Sequence, residues 1–134
     1  MDDQFPFATS FEEYILNRAE YIARKSNCKS RKVGAVIAVG LKILGEGCNE
    51  SSCEICRRRM MPDYESGKYL ELCLAKHAEI VALERAMESF LFRIARVTAY
   101  ITHQPCKACE KALYEAGIRK IVYRYPYIDK TEEI

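Results

Sequence analysis

The sequence is short of the features that would commit it to a membrane, to export or to a polyanion. Its longest weakly charged run, Val33 to Leu41, is about nine residues, far below the ~20 needed to cross a bilayer as a helix. Neither sign of charge dominates: 21 Lys and Arg face 19 Asp and Glu, a net +2. A dedicated nucleic-acid surface is therefore not expected, and any phosphate contact must come from a local patch. The opening MDDQFPF is acidic and lacks the basic-then-apolar order of a signal peptide, so a cytoplasmic location is expected. No repeat or linker breaks the 134 residues, which are read as one domain, 1–134. Tryptophan is absent, and histidine is limited to His77 and His103.

Cysteine is the exception, with seven copies. An odd number without an export signal argues against a disulfide scaffold, and in a reducing compartment clustered cysteines are more often metal ligands or catalytic groups. Apolar residues at 49% and charged residues at 30% are the composition of a soluble globular protein.

Ser10-Phe11-Glu12-Glu13 reads as a capping box, and apolar residues at helical spacing predict a helix from 11 to about 26. VGAVIAV (33–39), the turn Gly40-Leu41 and KILGEGC (42–48) predict a hairpin. Residues 49 to about 67 show no periodicity and read as a long functional loop. Helix signals resume near Tyr69 or Lys76 and run to about Ser89. RVTAYIT (96–102) and RKIVYRY (119–125) read as strands, with a helix over 106–116 between Pro105 and Gly117. That final unit predicts parallel pairing with a right-handed crossover. The fold class is α/β, a mixed sheet with helices on both faces.

The chemistry concentrates in two stretches. HAE (77–79) opens one helix and PCKAC (105–109) opens the next. Near a helix start His77 and Glu79 can both point into one cavity. Cys106 and Cys109, at i and i+3, share a face, and the positive end of the helix favours thiolate. One imidazole and two thiolates give three protein ligands for a tetrahedral zinc, leaving the fourth position for water, as in catalytic sites. Zinc lowers the pKa of that water toward ~7, and Glu79 is placed to take its proton. H-x-E followed by P-C-x-x-C is the signature of the zinc nucleobase deaminases. Three other readings stay open: a thioredoxin-like redox pair, a structural zinc closed by a fourth ligand such as His103, and His77 as an ordinary core histidine.

The sequence resembles the deoxycytidylate deaminase family, within the cytidine deaminase-like superfamily, from about Ala23 to Tyr127. CKSRKVGAVI (28–37), GCN (47–49), CLAKHAEIVAL (73–83) and YITHQPCKACEKALYEAGIRKIVY (100–123) carry the likeness. It implies a three-layer α/β/α fold with a five-stranded type of mixed sheet. It also implies hydrolysis of dCMP to dUMP and ammonia, with zinc-held hydroxide attacking C4 while Glu79 carries protons to N3 and the leaving amine. By the same match Asn49 would hydrogen-bond the sugar, its plain alternative being to stabilise a turn. A homo-oligomer, dimer to hexamer, is implied as well. Cys48 and Glu50 replace the family's usual tyrosine and glycine, and its Ser-Pro-x-Gly, last strand and last helix are not matched. These departures touch substrate fitting rather than zinc.

Arg57, Arg58 and Arg59 can grip a 5′-phosphate, since guanidinium forks match phosphate bidentately, or can simply be a solvated loop face. Tyr123, Tyr125 and Tyr127 can stack on a base or offer a phenol to the phosphate, Tyr127 being taken as the substrate residue; packing is the alternative. Of the remaining cysteines, Cys28, Cys53, Cys56 and Cys73 suit a closed structural zinc that would order the loop. The resemblance agrees in part, because many deoxycytidylate deaminases carry a second zinc with ligands matching Cys28 and a loop cysteine. Inert buried cysteines and a redox switch are the alternatives. The expected partner is a small nucleotide, with no membrane and no long nucleic acid. Deamination of another base (guanine, tRNA adenosine, a pterin- or flavin-pathway intermediate) and a catalytically silent zinc-stabilised assembly protein are the competing functions.

Overall fold

The computed structural model describes residues 10–28, 31–50 and 76–126. In chain order the elements are α1 (Ser10–Ala23), β1 (Gly34–Val39), β2 (Lys42–Cys48), α2 (Ala78–Ala86), α3 (Leu91–Ile94), β3 (Thr98–His103), α4 (Lys107–Glu115) and β4 (Lys120–Tyr125). The sheet order is β2-β1-β3-β4. β1 runs antiparallel to both neighbours, while β3 and β4 are parallel across the α4 crossover. Among the described residues the sheet has four strands, not the five of the expected type. They are the four segments read from sequence, and no stretch of this chain had been assigned to a fifth.

Period-two alternation sorts the strand side chains into two cores. Ala35, Ile37, Ala99, Ile101 and Ile121 meet Ala78, Ala82, Ala86 and Leu113 of α2 and α4. Val36, Ala38, Tyr100 and Val122 meet Ile15, Leu16 and Ala19 of α1 on the other face. The result is the three-layer α/β/α arrangement. Each fully buried Ile or Leu in it stabilises by about 1.5–3 kcal/mol.

Two glycines are demanded by geometry. A Cβ on Gly45 of β2 would lie 2.5 Å from the Ala86 nitrogen and closer still to the Ala82 carbonyl, so α2 rests directly on strand backbone. Gly117 has φ +107° and closes α4: its N–H donates to Tyr114 O and the Ile118 N–H to Leu113 O, each at 3.0 Å, a Schellman ending.

Boundaries differ from expectation for identifiable reasons. α1 stops at Ala23 because the N–H groups of Arg24, Lys25 and Ser26 bond three residues back, tightening the last turn. Glu13, expected to reach back to Ser10, has its carboxylate on Arg124 of β4 at 2.5 Å. α2 begins at Ala78 because Lys76 pairs with Glu50 in an extended bridge. The helical pattern beyond Ala86 breaks into turns and the separate α3.

Candidate metal centre and active site

The site is built where β3 and the approach to α2 both run into helix starts. His77 is the N-cap of α2, with φ −72° and ψ 143°; its carbonyl accepts from the Ile80 and Val81 N–H groups at 3.1 Å. Cys106 is the N-cap of α4, with φ −68° and ψ 164°, and its carbonyl accepts from Glu110 N–H at 2.9 Å. Neither side chain is spent on capping its helix. Cys109, one turn into α4, is buried. Two helix N-termini thus present an imidazole and two sulfurs to one point.

His77 Nδ1 lies 3.8 Å from Cys106 Sγ and 3.2 Å from Cys109 Sγ. All three ligand atoms fall within 4.8 Å of one another. A tetrahedral zinc with Zn–S near 2.3 Å and Zn–N near 2.0–2.1 Å puts N and S about 3.5 Å apart. The observed spacings bracket that figure, and the soft N/S₂ donor set is one that zinc prefers. The residues fit the metal.

Without metal, protons crowd the cluster. Hydrogen bonds from Cys109 and His77 pull the Cys106 thiol down to about 3, so it sits as thiolate. Cys109, sharing its proton with Cys106 and buried, is pushed strongly upward. The bond to the Cys106 sulfur, and then the charge of Glu79, raise His77. A divalent cation takes the place of those protons. Beside them Glu79 is 5% exposed, and burial raises its carboxyl above the usual carboxylate range, opposed by a backbone N–H and by the His77 and Arg31 charges.

The zinc-binding region of cytidine and deoxycytidylate deaminases matches residues 9–125 of this chain. The chain belongs to that deaminase family. It is a zinc-dependent hydrolytic deaminase, and its fold is that of deoxycytidylate deaminase structures. It is 34% identical over 124 residues to deoxycytidylate deaminase of Mycobacterium phage D29, covering 84% of this chain and 93% of the phage protein. The deoxycytidylate deaminase of Schizosaccharomyces pombe is 30% identical over 132 residues, 90% of this chain but 39% of the yeast protein. Among solved structures, the dCMP deaminase of cyanophage S-TIM5 in complex with dCMP and dUMP is similar, with TM-score 0.66, 30% identity, and coverage of 87% of this chain and 82% of the other.

Several open readings of this deaminase narrow. His103 is not in the group of ligand atoms that could hold a metal, and its Nδ1 lies 2.8 Å from Thr102 Oγ1 instead. Cys106 and Cys109 are free thiols, not a disulfide. Asn49 is buried, with Oδ1 accepting from Val33 N–H at 2.9 Å and Nδ2 donating to Arg31 O at 2.8 Å. Those bonds tie down the stretch leading into β1 and use one of its two amide N–H donors. The Tyr125 hydroxyl donates to Glu20 at 2.7 Å, so that phenol is already engaged. Cys28 is buried beside Ser26, whose Oγ accepts its N–H at 3.1 Å. Cys53, Cys56, Cys73, Arg57, Arg58, Arg59 and Tyr127 lie outside the described residues. One contributor had no sequence signal of its own: the Arg31 charge acts on His77, Glu79 and His103 together. It lies in the basic stretch before β1, far in sequence from the residues it acts on.

No helix among the described residues is long and apolar enough to cross a membrane.

Proposed function

We propose that the protein converts dCMP to dUMP and ammonia. The observation that carries this is the convergence of His77, Cys106 and Cys109 on one point, with a buried carboxyl, Glu79, two residues along. Metal coordination alone has no use for that carboxyl, whereas hydrolytic deamination needs a proton carrier. When bound, zinc supplies the acidity that makes water a nucleophile near neutral pH. Glu79 accepts the proton as water oxygen adds to C4. It delivers that proton to N3, then takes the remaining proton of the hydroxyl added at C4 and passes it to the amine, so that the C4–N bond breaks, C4=O forms and ammonia leaves. A carboxyl raised by burial suits both halves of the shuttle, since general acid–base efficiency is greatest with a pKa near the working pH. dCMP is preferred over other bases because the likeness to the phage deaminases extends over most of both chains.

The same reading assigns Asn49, with its second amide N–H, to the sugar. Arg57, Arg58, Arg59 and Tyr127 go to the phosphate end, and Cys28, Cys53, Cys56 and Cys73 to a second, structural zinc. It places the enzyme in the cytoplasm as a single-domain homo-oligomer. The test is loss of ultraviolet absorbance on dCMP, CMP, deoxycytidine, guanine and adenosine with zinc-loaded protein. dCMP should turn over fastest. Faster turnover of a purine, or none of any cytosine compound, overturns the reading.

A further inference from the structure

His103, the second histidine, lies close in sequence to the metal group and outside its ligand set. His103 ends β3, three residues before Cys106. By strand alternation it shares the face of Ile101, which packs in the core with Ala78 and Ala82 of α2, so it belongs to the layer that carries the site. Three residues on, the same chain segment delivers Cys106 to the metal group. The ring is half-buried and tilted against Tyr125, centroids 5.0 Å apart. Tyr125 is itself pinned through its hydroxyl to Glu20.

What fixes the imidazole is its bond to Thr102. Thr102 is fully buried, and its Oγ1 accepts the Gly34 N–H at 3.1 Å. A hydroxyl has one proton to give, and leaving it unmatched in the interior is costly. Among the described residues its recorded partner is His103 Nδ1 at 2.8 Å. Thr102 therefore donates and Nδ1 accepts, which places the ring's single proton on Nε2. A cationic ring would put hydrogens on both sides of that contact and orphan the threonine. Burial first, and then the Arg31 charge, oppose the cation as well, against a smaller pull from Glu20, and hold His103 down to about 4. The start of α4 just beyond adds its positive dipole end to the same effect.

We propose that His103 is a substrate-binding residue whose neutral imidazole, locked as the Nε2–H tautomer by Thr102, donates a hydrogen bond to an uncharged oxygen of the nucleotide, a ring carbonyl or a sugar oxygen. A neutral, oriented donor suits a neutral acceptor, and the clamp of Thr102 and Tyr125 means that little freedom is lost on binding. The inference rests on the deaminase reading above.

Two histidines make the test clean, because isotope-labelled histidine gives two imidazoles to assign. In the full zinc-loaded chain, nitrogen NMR should show His103 protonated on Nε2 and bare on Nδ1 between pH 5.5 and 8. Adding dCMP to the Glu79→Gln protein, which binds without turnover, should move the Nε2–H resonance. His103→Phe keeps a ring against Tyr125 and loses the donor. It should raise the dCMP KM about 3- to 10-fold, the worth of one neutral hydrogen bond, with kcat changed less. His103→Gln, which returns an N–H near the same position, should recover most of the loss. An Nδ1–H tautomer, a resonance indifferent to dCMP, or a His103→Phe enzyme with KM within twofold of wild type overturns the proposal. Wild-type turnover of dCMP beside an unaffected His103→Phe would sink His103 alone. A wild type inert toward cytosine nucleotides would sink the function with it.

Discussion

Glu79→Gln should make the metal-free protein more stable while nearly abolishing its activity. Glu79 is 5% exposed, and burial is the leading reason its carboxyl is raised. A carboxyl raised on folding binds its proton more tightly in the native state. Native stability therefore falls as pH climbs from the unfolded carboxyl's value through the folded one, and the penalty is complete above it. Each unit of such a shift is worth about 1.4 kcal/mol. Glutamine keeps the shape and never ionises, so the penalty vanishes. For a domain of this size a gain of 1 kcal/mol lifts Tm by about 3–5 °C. Calorimetry on the chelated proteins at pH 7 should show the variant melting higher, and the gap should shrink as pH falls toward about 4 and close below it, as the wild-type carboxyl becomes neutral in both states. In the zinc-loaded enzyme kcat should drop about 10²- to 10⁴-fold, the usual worth of a positioned acid–base group, with zinc content unchanged. A variant that melts no higher at pH 7, or keeps activity within tenfold, refutes the argument.

Gly45→Ala should cost about 1–3 kcal/mol, the range for overpacking, read as a lower urea midpoint, because its Cβ meets α2 backbone rather than a movable side chain. Metal-free protein should be alkylated by iodoacetamide at Cys106 even at pH 6, where its thiol is already thiolate, while Cys109 resists; zinc should protect both, and equal rates at the two positions would contradict the assignment. His77→Ala should lose one zinc by metal analysis. Cys53→Ser should lose a different one and leave catalytic zinc in place, whereas a wild type with one zinc per fully active chain would remove the structural site.

The grouping of His77, Cys106 and Cys109 was legible because its signal is local: two short motifs, each at a helix start. The hairpin, the Pro105 entry and the Gly117 exit to α4 were legible for the same reason, since turn and cap residues act within a few positions. Features that depend on distant partners were not. The end of α1 followed from hydrogen bonds tightening to three-residue spacing, which periodicity does not separate from α-helix. The start of α2 followed from the Glu50–Lys76 bridge, whose partners are distant in sequence. Arg31 lies in CKSRKVGAVI, one of the stretches that carry the resemblance, but nothing in that stretch said its charge would act on Glu79 and both histidines. His103 was visible as a spare ligand, but its tautomer depends on a buried hydroxyl whose other bond reaches 68 positions back to Gly34.

Because Gly45 offers α2 bare main chain instead of a side chain, no rotamer change can cushion that helix. From the outer side, Glu84 holds Lys76 at 2.6 Å and Arg85 donates to the Glu46 carbonyl at 2.8 Å, so the same helix is tied both to the bridge before it and to the strand beneath it. Such a mount leaves the helix carrying Glu79 little play: main chain stops it from below and polar ties hold it from outside.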